Sequence, residues 1–140
     1  MKILAAVDGS PYTKRMLAYL SAHDEWLGAQ HEYTIVHSVP AVPPRAAAVL
    51  DKSVVRGYYE DEAAKVFKPI RAFFDKRGMK AEFVARSGPP ADVVAAMAGK
   101  GGFDLIVMGS HGHGSLANLV LGSVAIKVLA STRVPVLLVR

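Results

Sequence analysis

Apolar positions along the chain follow two alternating rhythms. Short runs rich in β-branched residues occur at Ile3–Val7, Tyr33–His37, Ala81–Arg86, Asp104–Met108 and Pro135–Val139. The first and fourth are continuously apolar, as in Ile3-Leu4-Ala5-Ala6-Val7 and Leu105-Ile106-Val107-Met108. Strands without polar alternation are buried on both faces, as in a parallel sheet covered by helices on each side. The third run alternates Ala81, Phe83 and Ala85 with Glu82, Val84 and Arg86. That pattern predicts a strand near a sheet edge with one wetter face.

Between these runs the apolar spacing becomes helical. Pro11 can open a helix, Met16, Leu20, His23 and Leu27 then recur on one face, and Gly28 supplies a stop. Tyr59, Ala63, Val66, Ile70 and Phe73 recur likewise and end before Gly78. Pro69 lacks the donor for the Lys65 carbonyl, which predicts a kink there. Gly88-Pro89-Pro90 opens a third helix carrying Val93, Val94 and Met97, which ends in Gly99-Lys100-Gly101-Gly102. A fourth helix is expected from about Gly122 to Ser131. The segment Pro40–Ser53, with prolines at 40, 43 and 44, reads as one long irregular connection.

Parallel strands need crossovers of about a dozen residues, and these helices supply them. The expected architecture is α/β, with residues 1–140 as a single doubly wound domain. It holds a five-stranded parallel sheet with helices on both faces. A chain of 140 residues suits one domain with its own core.

Composition narrows the chemistry. The absence of cysteine removes disulfides, thiolate metal sites and a cysteine nucleophile. No apolar run approaches the roughly 20 residues of a membrane span, so a cytoplasmic protein without membrane contact is expected. The formal charge is +5, but the basic residues are scattered and no aromatic residues interleave with them. A solvated surface with a basic bias is therefore expected, without nucleic-acid binding.

In open α/β sheets ligands sit beyond the carboxyl ends of strands, where strand order reverses. The first strand ends in Val7-Asp8-Gly9-Ser10 and the fourth in Met108-Gly109-Ser110-His111-Gly112-His113-Gly114. If these strands are neighbours, Asp8 and Gly109 face one crevice. Glycine permits positive φ and close approach of a ligand to the main chain. Gly122-Ser123 opens the last helix, whose free N–H groups and positive dipole end suit a phosphate. Neither G-x-x-x-x-G-K-[ST] nor a full dinucleotide fingerprint occurs. On composition alone, a plain structural turn accounts for these glycines as well as a phosphate site does.

Longer stretches go further. The chain resembles a short, single-domain universal stress protein in K-I-L-A-A-V-D-G-S (Lys2–Ser10), V-H-S-V (Val36–Val39) and G-P-P-A-D-V (Gly88–Val93). It does so again in D-L-I-V-M-G-S-H-G-H-G (Asp104–Gly114), L-G-S-V-A (Leu121–Ala125) and V-P-V-L-L-V (Val134–Val139). The ATP-binding branch of that family carries G-x2-G-x9-G-[ST], which Gly109, Gly112, Gly122 and Ser123 satisfy without a gap. The resemblance implies an adenine nucleotide alpha hydrolase-like fold that binds ATP, with Mg²⁺. Gly109, Gly112, Gly122, Ser123 and Val124 would take the phosphates, and Met108 would lie near the nucleotide. Asp8 would contact the ribose or help hold the metal, and Ser38 and Val39 would lie by the adenine. His111 and His113 would help hold phosphate or point to solvent. A homodimer and a nucleotide-responsive role in stress survival, with regulatory protein partners, are also implied. Pairing through Val134–Val139 has a physical reason of its own, since an apolar edge strand left uncovered invites aggregation.

The alternatives are a slow ATPase or phosphotransferase, or an interaction protein with a vestigial pocket. Phosphoryl transfer requires neutralisation of developing charge, and the glycine-rich loop holds no lysine or arginine. A metal site on His111 and His113 lacks an evident third ligand. A hydrolase triad of Ser110, His111 and Asp8 lacks the nucleophile elbow, and adjacent serine and histidine side chains are not expected to meet suitably. His37 is expected to be a buried, hydrogen-bonded structural histidine, Trp26 a core or boundary residue, and Arg133 a solvated turn residue.

Overall fold

A computed structural model describes residues 1–114 and 118–140. Five strands form one parallel sheet: β1 (Lys2–Ala6), β2 (Glu32–Val39), β3 (Ala81–Ser87), β4 (Leu105–Gly109) and β5 (Val136–Val139). The strand order is β3-β2-β1-β4-β5, so the alternating β3 lies at one edge and β5 at the other. Ile3 pairs with Tyr33 on one side and Leu105 on the other, which places β1 at the centre.

Alternate side chains of the strands feed two cores. Ile3, Ala5, Val7, Ile35 and Val107 pack against α1 (Pro11–Ala22), α2 (Asp24–Leu27) and α4 (Lys52–Lys76) through Met16, Leu20, Leu27, Phe67, Ile70 and Phe74. Leu4, Val36, Ile106 and Met108 pack on the other face against α5 (Pro90–Gly101) and α6 (Ser123–Ser131) through Ala91, Val94, Ala98, Ala125 and Val128. Full burial of one such aliphatic side chain contributes about 1.5–3 kcal/mol. The two-faced burial of β1 and β4 therefore explains their unbroken apolar runs.

Two local features differ from the sequence pattern, and a third shows how the chain accommodates Pro69. The Pro40–Ser53 connection is partly helical: α3 spans Pro44–Val49, and α4 starts at Lys52, two turns before Tyr59. No α3 residue is buried, so no periodic apolar stripe marked it. Its Ala46–Ala48 run and Pro44 in the first turn suffice locally. The first helical pattern is divided, with His23 joining α1 to α2, and Gly28 caps the end of α2. Finally, α4 continues through Pro69. Lys65 and Pro69 are both exposed, so water can satisfy the carbonyl that proline leaves unpaired. Among the described residues, no helix is long and apolar enough to cross a membrane.

Candidate functional site

The sheet order reverses at β1, whose successors in sequence lie to one side while β4 lies to the other. Beyond the carboxyl ends of these strands opens a cleft of about 600 Å³. Asp8, Ser38, Met108, Gly109, His111, Gly112, Gly122, Ser123 and Val124 all line it. The side walls are apolar and come from Val36, Pro40, Pro90, Val93 and Val94. The volume fits a small organic ligand.

Val39 is the one anticipated site residue that the fold directs elsewhere. It is buried in the core with Ile3 and Ile35, and its carbonyl accepts the Gly88 N–H at 3.2 Å, toward β3. Main-chain groups of successive strand residues face opposite edges. The Val36 carbonyl accepts the Val7 N–H at 2.9 Å, so Val36 faces β1. Ser38, two residues on, faces the same edge where β1 has already ended, which is the cleft. Its hydroxyl is occupied elsewhere, donating to the Gly88 carbonyl at 2.5 Å.

Asp8 is clamped at the end of β1. Its Oδ1 accepts the Ser10 N–H at 2.9 Å and the Thr13 hydroxyl at 3.0 Å. Its Oδ2 accepts the His113 N–H at 3.3 Å. The Thr13 oxygen in turn accepts the N–H groups of Asp8 and Gly9, both at 3.2 Å. Ser10 caps α1 by accepting the Tyr12 N–H at 3.2 Å. Burial pushes the Asp8 carboxyl up, but hydrogen bonds from Ser10 and Thr13 and the His113 charge outweigh it. The group lies below its ordinary value of 3.8.

The motif glycines do not use positive φ. Positive φ occurs at Gly9 and Gly114, not at Gly109, Gly112 or Gly122. These three are needed for close approach within the protein. A Cβ on Gly109 would stand 2.6 Å from Tyr12 Cβ, and one on Gly112 would stand 2.5 Å from Asp8 Oδ2. A Cβ on Gly122 would meet His111 Cα at 3.0 Å and the Ser110 oxygen at 3.2 Å. A larger residue at 122 therefore presses on the Ser110–His111 backbone.

His111 is also committed internally. Its Nδ1 lies 2.8 Å from Ser110 Oγ, and its Nε2 donates to the Leu119 carbonyl at 2.7 Å. In this tautomer Nδ1 accepts from the serine. The adjacent Ser110 and His111 side chains thus meet, but not in the geometry of a triad. Ser110 is fully buried, the outer histidine nitrogen serves a carbonyl, and Asp8 bonds to Ser10, Thr13 and His113. His113 Nε2 donates to the Asp8 carbonyl at 2.8 Å, tying the loop to β1. Among the described residues, no group of three or more His, Asp or Glu side chains is placed to hold a metal.

The last wall is the start of α6. Gly122 is its N-cap, without a side-chain capping bond, and its own N–H donates to the Ser110 carbonyl at 2.8 Å. The first-turn N–H groups of α6 have no carbonyl one turn back to bond, and Ser123, Val124 and Ala125 line the cleft. That wall combines donors with a positive dipole end.

The family model described as the universal stress protein family matches residues 1–140. The chain belongs to the universal stress protein family. This universal stress protein is 34% identical over 139 residues to the universal stress protein in the QAH/OAS sulfhydrylase 3' region of Thermus aquaticus. That match covers 99% of this chain and 97% of the relative. The solved structure of MJ0577, from Methanocaldococcus jannaschii, has a TM-score of 0.81 at 27% identity, over 99% of this chain and 94% of that one. The Archaeoglobus fulgidus universal stress protein in complex with dAMP shares the fold, with a TM-score of 0.68 at 22% identity, over 100% and 98% of the two chains.

Sequence reasoning missed Thr13, because a lone hydroxyl in the first turn of a helix carries no motif. Its placement three residues after the capping Ser10 is the only available signal. His37 is buried as expected, its Nδ1 donating to the Val7 carbonyl at 2.8 Å. Trp26 is more exposed than expected and lies edge-on to His23. Arg133 is exposed.

Proposed function

We propose that this universal stress protein binds an adenine nucleotide in the cleft between β1 and β4, with ATP and Mg²⁺ the leading ligand. One convergence carries the reading: the uncapped start of α6, the Gly109–Gly112 turn and the cleft-facing main chain of Ser38 meet in one crevice at the switch point. The apolar walls suit a flat base, and the Ser38 N–H and carbonyl can read its edge. The α6 N–H groups suit phosphate oxygens. Asp8 fits the ribose, or a Mg²⁺ ion that keeps most of its coordination from phosphate and water. The dAMP complex of the Archaeoglobus fulgidus relative supports an adenine nucleotide as the ligand class.

The cleft is suited to holding the nucleotide more than to reacting it. Among the described residues, none that lines it is lysine or arginine. Efficient phosphoryl transfer requires such charge, together with a positioned nucleophile. We therefore read the protein as a nucleotide-responsive regulator.

The second part of this reading is a homodimer through β5. Pro135 and Val139 turn their carbonyls to β4, accepting from Ile106 and Ser110 at 2.8 Å each. Val136 and Leu138 therefore present their main-chain groups outward at the sheet edge. The adjoining helix α6 exposes Ile126 (54%) and Leu129 (43%). A second copy would cover both features. Because α6 starts in the cleft and leads into β5, one element links ligand to subunit contact.

Mass spectrometry of small molecules released from purified protein, followed by calorimetry with ATP and Mg²⁺, tests the proposal. An adenine nucleotide carried at substoichiometric or higher level, or saturable binding, is expected. Absence of both carry-over and binding of ATP, ADP or AMP would overturn it.

A further inference from the structure

Thr13 spends its whole hydrogen-bonding capacity on two consecutive residues, Asp8 and Gly9. Its hydroxyl gives its single proton to Asp8 Oδ1 at 3.0 Å and accepts the main-chain N–H groups of Asp8 and Gly9 at 3.2 Å each. The side chain is 5% exposed, so these bonds form away from competing water. They tie the first turn of α1 to the end of β1. The opposite oxygen, Oδ2, accepts from the His113 N–H at 3.3 Å and lies 2.5 Å from where a Cβ on Gly112 would stand. Thr13 and the glycine-rich turn therefore hold opposite oxygens of one carboxylate.

We propose that Thr13 is the positioning residue of the cleft, fixing the Asp8 carboxylate in one orientation and, through its far oxygen, fixing the Gly112–His113 turn. The inference rests on the nucleotide-binding reading for its benefit to a ligand, but not for its geometry. A carboxylate on an aspartate has two side-chain torsions to settle. Ser10 N–H alone leaves Oδ1 a single anchor, whereas the added Thr13 hydroxyl fixes both the position and the plane of the group. Pre-organisation of this kind lowers the cost of ordering the site when a ligand arrives. The γ-methyl of threonine plays no part in it, so serine at 13 should serve and valine, which has the same shape, should not.

The test uses the full chain with Thr13→Val and Thr13→Ser. In the nucleotide-free protein, the backbone amide resonance of His113 reports its bond to Asp8 Oδ2. Thr13→Val should shift that resonance toward the position it takes in Asp8→Asn, and Thr13→Ser should leave it as in the parent. Binding of ATP with Mg²⁺ should weaken roughly tenfold in Thr13→Val, the scale of one hydrogen bond to a charged group. It should recover in Thr13→Ser, and the loss should vanish when Thr13→Val is made on an Asp8→Asn background. An unmoved His113 amide in Thr13→Val, a serine variant that behaves like valine, or an undiminished loss on the Asp8→Asn background would each overturn the proposal. If Thr13→Val does not fold, Thr13→Ala takes its place under the same criteria. Failure of the parent protein to bind nucleotide would overturn the ligand reading instead, while the amide shifts still decide the role of Thr13.

Discussion

Replacing Gly112 with alanine loads the Asp8 clamp directly. The new Cβ would lie 2.5 Å from Asp8 Oδ2, and contacts under 3.0 Å do not persist, so the two must separate by roughly half an ångström or more. An exposed, freely rotating carboxylate would swing away at little cost. Asp8 is held by Ser10 N–H and Thr13 hydroxyl on one oxygen and by His113 N–H on the other. Moving it weakens the two Oδ1 bonds together, because both donors lie at the start of α1. At the low end for hydrogen bonds to a charged group, their loss costs about 3 kcal/mol. Gly112 does not use positive φ, so alanine offsets about 0.4–1 kcal/mol of this through the unfolded chain. The net destabilisation should be about 2 kcal/mol, a fall in Tm of roughly 6–8 °C for a domain of this size. Thermal unfolding at neutral pH, read by circular dichroism without nucleotide, measures it. On an Asp8→Ala background the clash is gone, and Gly112→Ala should become neutral or slightly stabilising. An unchanged Tm in the parent, or the same loss on the Asp8→Ala background, would refute the clamp.

Further outcomes follow from neighbouring geometry. Gly109→Ala places a Cβ 2.6 Å from Tyr12 Cβ and should cost about 1–3 kcal/mol in denaturant unfolding by forcing α1 off β4. A methyl tolerated without loss would show that this contact relaxes freely. Because the Asp8 carboxyl is depressed in the folded state, its contribution to stability is present above its ordinary value of 3.8 and lost as pH falls through the lower folded value. Asp8→Asn should therefore flatten the acid limb of a stability–pH curve measured down to pH 2; parallel curves would contradict the assignment. Leu138→Pro removes an outward N–H from β5 without touching the bonds to β4. Light scattering should then report monomer in place of dimer, and an intact dimer would rule out β5 pairing.

Much of this molecule is written in local pattern. The unbroken apolar runs at Ile3–Val7 and Leu105–Met108 specified strands covered on both sides, and the alternation at Ala81–Arg86 specified an edge. The spacing of Gly109, Gly112, Gly122 and Ser123 located the loop that lines the cleft. These features are legible because burial and helix starts act on residues close in sequence. Tertiary structure decided what depends on distant neighbours. Strand order alone brought Asp8 against His113, more than a hundred residues away, and turned Ser38 toward the cleft while Val39 faced β3. It also gave the glycines their reason, since Gly109 yields space to Tyr12 and Gly112 to the Asp8 carboxylate. It committed His111 to Leu119 and recruited Thr13, a residue no motif marks. A spacing can say which residues belong to a loop. Which atoms those residues must make room for, and which hydrogen bonds they have already used, is settled only when the sheet brings its strand ends together.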